Sequence, residues 1–283
     1  MPTLRYVLAD VFTDTPLEGN QLAVFTDGRG LSDETMQKIA RELNLSETVF
    51  VLRPEQGGSA RIRIFTPAAE LQFAGHPTLG SAFVLAGPLQ ADEILLETGA
   101  GVVSVVLERE AGRIVFGRMA QPVPTWEPLA QPEELLAALG VTRSELPVEV
   151  YDNGVQHIYV AVPTVAELVA LRPDLGAVER IAGRRGSVCF IGAGASWKVR
   201  MFDPGLGIAE DPATGSAAGP LAVHLARHGR IDFGAEIEIS QGVEIGRPST
   251  LYARAEGSAE AISLVEVGGS AVIVARGEFR LPD

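Results

Sequence analysis

The chain has 283 residues, of which 46% are hydrophobic and 21% charged, a balance that excludes a disordered protein and suits two domains of ordinary size. Its 23 basic and 36 acidic residues leave a net charge of −13, which argues against nucleic acid or an anionic membrane as a partner. The single cysteine, Cys189, excludes a disulfide within the chain, a cysteine-rich zinc site and any mechanism that needs two thiols of one chain.

The first 120 positions predict a mostly β structure with few helices. Strand-like runs of β-branched and aromatic residues occur at 5–8, 23–25, 48–52, 61–65, 102–107 and 114–116. The clearest helix begins at an N-cap, Ser32 or Asp33, and carries apolar residues along one face: Met36, Ile39, Ala40 and Leu43. Residues 1–6 show no basic segment followed by a long apolar core, so we expect no secretion signal and a cytoplasmic location.

The longest stretch without a charged side chain, 71–91, is long enough to raise the question of a membrane span. Glycine, proline and glutamine interrupt it, and we therefore predict a short buried helix over 77–86. Farther along the chain, four prolines between 122 and 132 predict an extended connector and a domain boundary.

The second half of the chain repeats the first. Arg-Ile-Phe-Thr-Pro at 63–67 returns as Arg-Met-Phe-Asp-Pro at 200–204. His-Pro-Thr-Leu-Gly-Ser-Ala at 76–82 matches Asp-Pro-Ala-Thr-Gly-Ser-Ala at 211–217. Matches in the same order at nearly the same offset predict two copies of one unit, in which several strands are followed by an apolar helix.

We therefore expect a first half over residues 1–118, completed by a C-terminal strand over 270–283, and a second half over residues 119–269. In each half a polar residue, His76 or Asp211, precedes a proline and an apolar run, which is the pattern of an N-cap and the first helical position. The predicted helices, 77–86 and about 212–228, are apolar on nearly every side, so strands are expected to enclose them.

Small residues near the start of these helices leave backbone N–H groups available, which suits an anion such as a carboxylate. If the two halves face each other about a pseudo-twofold axis, both helix N-termini converge on one cleft. Gly215 and Ser216 would then bind an acidic substrate without a cofactor.

Five blocks of the sequence stand in one order between residue 10 and about residue 250. They are Asp10-Val11-Phe12-Thr13 with Gly19-Asn20; Ser46-Glu47-Thr48-Val49-Phe50-Val51; Phe65-Thr66-Pro67 with Gly75-His76-Pro77-Thr78-Leu79-Gly80; Glu210-Asp211-Pro212-Ala213-Thr214-Gly215-Ser216-Ala217; and Gln241-Gly242 with Gly246-Arg247-Pro248-Ser249. Together they resemble the phenazine-biosynthesis isomerase (PhzF-like) family, and the combination is far more specific than any single block.

The resemblance implies an α+β fold of the diaminopimelate-epimerase superfamily. In that fold two pseudo-symmetric domains each form a curved β-sheet or barrel around a central α-helix, and the active site lies between them. Epimerases of the superfamily use two cysteines, one at each helix N-terminus. The corresponding positions here carry no thiol, and Cys189 lies in an apolar run typical of a buried strand, so two-thiol racemisation is rejected.

The PhzF-like branch resembles a single-carboxylate isomerase, and Glu47 matches its catalytic glutamate. A carboxylate that precedes an apolar strand can be partly desolvated, which raises its pKa and lets it act as acid and base. The alternative is a solvated glutamate at a strand end. The resemblance also implies catalytic roles for His76 and Asp211, in orienting Glu47 and the substrate or in relaying a proton, whereas helix capping alone is the alternative for each.

Gly75, Gly215 and Ser216 are expected to contact the substrate through N–H groups and a hydroxyl, although small residues can also simply permit close helix packing. For Gln241 and Arg247 the sequence suggests no role beyond a turn. His224 and His228 are spaced to bind a metal from one helix face, but no third ligand is evident near them and the helix end at Gly229 accounts for His228. We therefore predict no metal and no cofactor.

The sequence thus predicts a cofactor-independent isomerase that shifts a proton within a small carboxylate-bearing substrate, for example trans-2,3-dihydro-3-hydroxyanthranilate or a related metabolite. A homodimer is expected from the resemblance. The alternative is a non-catalytic protein that binds or senses small acids on the same scaffold.

Overall fold

The computed structural model describes residues 3–281; Met1, Pro2, Pro282 and Asp283 lie outside this range. The chain divides into two units, the first up to Ala120 together with the residues from Gly268 onward, and the second from Gln121 to Val267. Across residues 3–281 no helix is both long and apolar enough to cross a membrane.

Within residues 3–281, the first unit contains nine strands and two helices. The strands are β1 (Thr3–Val11), β2 (Asn20–Phe25), β3 (Glu47–Leu52), β4 (Ala60–Phe65), β5 (Glu70–Leu71), β6 (Glu93–Thr98), β7 (Gly101–Glu110), β8 (Arg113–Ala120) and β18 (Ala271–Arg280). The helices are α1 (Asp33–Leu43) and α2 (Gly75–Leu89).

The main sheet of this unit has the order β18–β1–β2–β3–β4–β6–β7–β8. Helix α2 connects the parallel neighbours β4 and β6, and it packs against β1, β2, β3, β6, β7, β8 and β18. Nearly every side chain of α2 up to Ala86 is buried, as expected for an all-apolar helix enclosed by strands.

Helix α1 shows how local sequence sets an element in this unit. Ser32 is the N-cap, and its hydroxyl accepts a hydrogen bond from the N–H of Thr35. The helix buries Met36, Ile39 and Ala40 against Phe25, Phe50 and Phe65, whose rings contact one another. It ends at Asn44 in the left-handed conformation that asparagine tolerates better than most residues.

The second unit contains eight strands and four α-helices, and a further strand begins in it and ends past the boundary. The strands are β9 (Thr125–Pro128), β10 (Glu149–Asp152), β11 (Gln156–Ala161), β12 (Gly186–Ala193), β13 (Ser196–Asp203), β14 (Ile208–Asp211), β15 (Glu236–Gln241) and β16 (Ser249–Gly257), and the boundary strand is β17 (Ile262–Gly269). The helices are α3 (Pro132–Leu139), α4 (Val165–Ala170), α5 (Leu175–Ala182) and α6 (Gly215–Arg227).

Strands β10, β11, β12, β13, β15 and β16 pair in that order, and α6 connects the parallel neighbours β13 and β15. The directions alternate antiparallel, parallel, antiparallel, parallel, antiparallel, as they do from β1 through β2, β3, β4 and β6 to β7. The two segments that repeat in the sequence therefore occupy corresponding elements: 63–67 begins in β4 and 200–204 in β13, while 76–82 lies in α2 and 211–217 leads into α6.

Both central helices begin differently from the sequence prediction. The N-cap of α2 is Ala74, so His76 lies within the first turn and does not cap the helix. Asp211 is the last residue of β14, and α6 begins only at Gly215 after the N-cap Thr214. The prediction that His76 and Asp211 are N-caps is wrong, because the backbone is already helical at His76 and still extended at Asp211.

Pro220 in the middle of α6 leaves a backbone carbonyl without its helical hydrogen bond, and a neighbouring side chain supplies the missing donor. Proline has no N–H group, so the carbonyl of Ser216, four residues earlier, loses its helical partner. The amide of Asn153 donates to that carbonyl at 2.9 Å. Gln121 and Tyr159 donate in the same way to the carbonyls of the adjoining residues, Gly215 and Ala217.

Candidate functional site

In the first unit Glu47, His76 and Asn20 form a buried polar cluster at one end of the sheet. Asn20 and Glu47 are the first residues of β2 and β3, which pair in parallel with Leu22 opposite Glu47. His76 lies in the first turn of α2. Only 7% of Glu47 is exposed, and Asn20 and His76 are more deeply buried, so a solvated Glu47 is excluded.

The contacts within this cluster set the position of the His76 ring. The side-chain amide nitrogen of Asn20 lies 3.1 Å from Nδ1 of His76. Nε2 lies 3.3 Å from Oε2 of Glu47. The ring therefore stands between Asn20 and the Glu47 carboxylate.

His76 is neutral at physiological pH. Burial lowers the pKa of its imidazole to about 3, and a hydrogen bond with the backbone of Gln21 opposes the shift only in part. The contact with Glu47 therefore joins a carboxylate to a neutral imidazole and is not an ion pair. Such an arrangement can orient Glu47 while leaving it available for proton transfer.

The conformation of the loop before β2 explains why Asp10 and Gly19 occur in the first of the five sequence blocks. Gly19 has a φ of +68°, and a side chain there would collide with the carbonyl of Val11 and with Thr13. The carboxylate of Asp10 accepts a hydrogen bond from the N–H of Leu17 at 2.7 Å. Together these features hold the chain so that Asn20 enters β2 beside His76.

In the second unit Asp211, Thr214 and Gln241 form a buried hydrogen-bonded group immediately before α6. The hydroxyl of Thr214 donates to Oδ2 of Asp211 at 2.6 Å. The amide of Gln241 donates to the backbone carbonyl of Asp211 at 2.8 Å and to the Thr214 hydroxyl at 2.9 Å. Its oxygen accepts from the N–H of Thr214 at 3.2 Å. Gln241 thus holds both ends of the Asp211–Thr214 segment.

Gly242 and Arg247 support the Asp211–Thr214 segment through their backbone atoms. Gly242 has a φ of +77°, and a side chain there would collide with the carbonyl oxygens of Pro212 and Arg247. The N–H of Arg247 donates to the carbonyl of Gly242 at 3.0 Å and closes a turn around the short 3₁₀ helix Val243–Ile245. The Gln241–Arg247 block is therefore a turn that also fastens the Asp211 segment, a role that the sequence alone did not indicate.

Ser216 is in contact with a histidine that sequence reasoning did not single out. Nε2 of His157 lies 3.0 Å from Oγ of Ser216, and both residues are buried. Burial lowers the pKa of His157 to about 4, although the negative charge of Asp152 opposes the shift. His157 is thus neutral and fixes the side chain of Ser216.

Asp203 is a second buried acid near Asp211. Burial, and after it the negative charge of Asp211, raise the pKa of Asp203 to about 7. A hydrogen bond from the backbone of Leu206 and the charge of Arg184 oppose this shift. Asp203 occupies the position that Thr66 holds in the first repeat, and each side chain accepts from a backbone N–H of the following turn.

In each unit the first residues of the central helix have backbone N–H groups that can bind an anion. Gly75 and His76 begin α2, and Gly215 and Ser216 begin α6, so their backbone N–H groups have no carbonyl partner within the helix. Cys189, in contrast, is completely buried in β12 and burial raises the pKa of its thiol to about 12, so it is an unreactive core residue.

Comparison with known proteins gives one consistent result. Residues 9–277 match the family described as "Phenazine biosynthesis-like protein" (PhzC-PhzF). Proteins from Pseudomonas aeruginosa and Pseudomonas chlororaphis, both named trans-2,3-dihydro-3-hydroxyanthranilate isomerase, are 55% and 53% identical to this chain over 277 residues, which cover 98% of this chain and 99% of each relative.

Solved structures agree with these matches. A PhzF-family phenazine biosynthesis protein from Bacillus anthracis superposes with a TM-score of 0.84 at 26% identity, covering 99% of this chain and all of that one. A hydroxyproline epimerase from Agrobacterium vitis superposes with a TM-score of 0.70 at 15% identity, covering 99% and 93%, and shows the shared fold alone. The predicted diaminopimelate epimerase-like α+β fold and the predicted family are confirmed.

Proposed function

Since the chain belongs to the phenazine biosynthesis-like (PhzC-PhzF) family and is an isomerase, we propose that it isomerises trans-2,3-dihydro-3-hydroxyanthranilate with Glu47 as acid and base. The compound is the substrate in the name of relatives that are 52–55% identical over nearly the whole chain. The observation that carries the proposed mechanism is the buried Glu47 carboxylate with Nε2 of a neutral His76 ring 3.3 Å away.

The proposed reaction needs one base and no cofactor. The Glu47 carboxylate takes a proton from a substrate carbon, and the electron pair left behind delocalises over the unsaturated ring. The protonated Glu47 then returns that proton to a different carbon, which restores the carboxylate. Atoms and charge balance within the substrate, as an isomerisation requires.

His76 would act on Glu47 as an uncharged neighbour. Its Nε2 lies 3.3 Å from Oε2 of Glu47, and because burial keeps the ring neutral, this contact is not an ion pair. Asn20 holds the ring through Nδ1.

For the second unit we propose substrate contacts. The N–H groups of Gly215 and Ser216, with the positive end of the α6 dipole, suit the substrate carboxylate. Asp211, oriented by Thr214 and Gln241, would hold a donor group of the substrate, such as its amine or hydroxyl. Gly75 is the corresponding candidate at the start of α2.

The test is to follow the conversion of the compound in D₂O by NMR, recording both product and deuterium incorporation at carbon. The wild type should convert it, and Glu47→Gln should lower kcat by about 10²–10⁴-fold, the usual contribution of a general acid–base group. Glu42→Gln, the same change at an exposed site on α1, is the control and should leave kcat unchanged.

The possible failures are distinguishable. If the wild type leaves the compound unchanged, the proposed substrate is wrong. If Glu47→Gln exchanges carbon-bound hydrogen at the wild-type rate, Glu47 is not the base, whatever the substrate.

A further inference from the structure

A second polar cluster in the second unit lies outside the groups described above and converges on one oxygen atom. Oε2 of Glu149, in β10, lies 3.2 Å from Nδ1 of His224 and 3.0 Å from Nε2 of His228. It also accepts from Nη1 of Arg227 at 2.8 Å and from the hydroxyl of Tyr151 at 3.0 Å. A carboxylate oxygen has two lone pairs, so four donors are more than it can satisfy well.

The three ligand-type groups of this cluster lie close together. One ligand atom each from Glu149, His224 and His228 fall within 4.8 Å of one another. The two histidines are one helical turn apart on α6 and its C-cap, which brings their rings to the same side. In a tetrahedral Zn²⁺ site with bonds of 2.0–2.1 Å, neighbouring ligand atoms are about 3.3 Å apart. The two nitrogen–oxygen distances to Glu149 are close to that separation.

The surroundings of the cluster bury one histidine completely and leave the other partly exposed. His224 is completely buried between the rings of Tyr151, Tyr159 and Phe190. The side chain of His228 is 19% exposed, which gives an ion a path from solvent. Tyr151 donates to the Glu149 carboxylate and orients it, as partners behind metal ligands commonly do.

We propose that Glu149, His224 and His228 form a binding site for one divalent transition-metal ion of the Zn²⁺ class. Two imidazole nitrogens and one carboxylate oxygen are the donor set that such ions favour over Ca²⁺ or Mg²⁺. The ion would join β10 to the C-terminal end of α6 within this unit. Water would complete its coordination on the side where His228 is exposed.

Arg227 would compete with the metal ion for Oε2 of Glu149. Its guanidinium donates to the same Oε2 atom, so a bound cation and Arg227 cannot both hold that oxygen. The guanidinium carbon of Arg227 also lies 4.0 Å above the ring centre of Trp126, so the cation has a favourable contact besides the carboxylate. Metal binding therefore requires Arg227 to leave the carboxylate, and its removal should tighten binding.

The test titrates chelator-treated protein without a histidine tag with Zn²⁺ by calorimetry and with Co²⁺ by visible absorption. The wild type should bind one ion per chain. His228→Gln and Glu149→Gln should each weaken binding about tenfold or more, whereas Arg227→Gln should strengthen it several-fold. Glu127→Gln, at the exposed residue that pairs with Val150 next to Glu149, is the control and should bind as the wild type does.

Thermal unfolding of the metal-free variants shows which of them fold, and the partly exposed His228 makes His228→Gln the variant that best keeps the fold. A one-to-one titration that is lost in His228→Gln and strengthened in Arg227→Gln supports the site. The proposal is overturned if neither the wild type nor Arg227→Gln binds either ion at one per chain, or if His228→Gln binds as tightly as the wild type.

Discussion

The hydroxyl of Thr214 offers a test of whether the orientation of Asp211 matters to the reaction. It donates to Oδ2 of Asp211 at 2.6 Å and accepts from Gln241 at 2.9 Å. Thr214→Val keeps the shape and removes both bonds, whereas Thr214→Ser keeps the hydroxyl and removes only a methyl group. A hydrogen bond to a charged acceptor contributes about 1.5–3 kcal/mol, so Thr214→Val should lower the free energy of unfolding by about 2 kcal/mol.

We expect Thr214→Val to lower kcat by more than its loss of stability would explain. Gln241 still holds the backbone of Asp211, but the Asp211 carboxylate loses the hydrogen bond from Thr214, and a misplacement of about 1 Å can cost about 100-fold in rate. We expect Thr214→Val to lower kcat about 100-fold and Thr214→Ser to remain within a few-fold of the wild type. Steady-state kinetics with the proposed substrate and denaturant unfolding measure both quantities. Equal kcat for the two variants, with Thr214→Val less stable, would refute the reasoning and leave the hydroxyl a structural role only.

Two further predictions concern pH. The pKa of Asp203 in the folded protein is raised to about 7, so Asp203 contributes stability at low pH that is lost as pH rises through 7. Asp203→Asn should therefore be more stable than the wild type at pH 8. In unfolding titrations, this difference in the free energy of unfolding should shrink toward pH 5. His76 and His157 have folded pKa values lowered to about 3 and 4, so each lowers the free energy of unfolding by about 2 kcal/mol between pH 7 and pH 5 as the unfolded chain takes up protons. His157→Gln should remove its share of that loss, and an unchanged pH slope would contradict the assignment of His157 as a buried neutral group.

The sequence predicted the family and the fold because several short blocks, each weak alone, stand in a specific order. It placed Glu47 at the start of a buried strand and found the residues around both helix starts. It misjudged His76 and Asp211 as N-caps because a cap depends on backbone dihedral angles, and a polar residue followed by proline is compatible with a first turn or with a strand end as well.

Partners that are distant in sequence were not predictable in the same way. Glu149 lies 75 residues before His224, and only the pairing of β10 within its sheet and the packing of α6 bring the two together. His157 contacts Ser216 across 59 residues. The block that contains Gln241 did stand out in the sequence. No local pattern, however, shows that a glutamine at a strand end hydrogen-bonds to Asp211 and Thr214, 27 to 30 residues earlier.

The two central helices keep one scaffold but differ in the polar groups at their starts. In the first unit the first turn of α2 carries a neutral imidazole, and the carboxylate comes from the neighbouring strand β3. In the second unit a carboxylate stands ahead of α6, held by a threonine and a glutamine, and no imidazole occupies the corresponding position. A racemase with two thiols needs two equivalent groups, one to remove a proton and one to supply it on the opposite face. Unequal groups on a duplicated scaffold fit instead a reaction in which one base both removes and returns the proton, which is the chemistry proposed for Glu47.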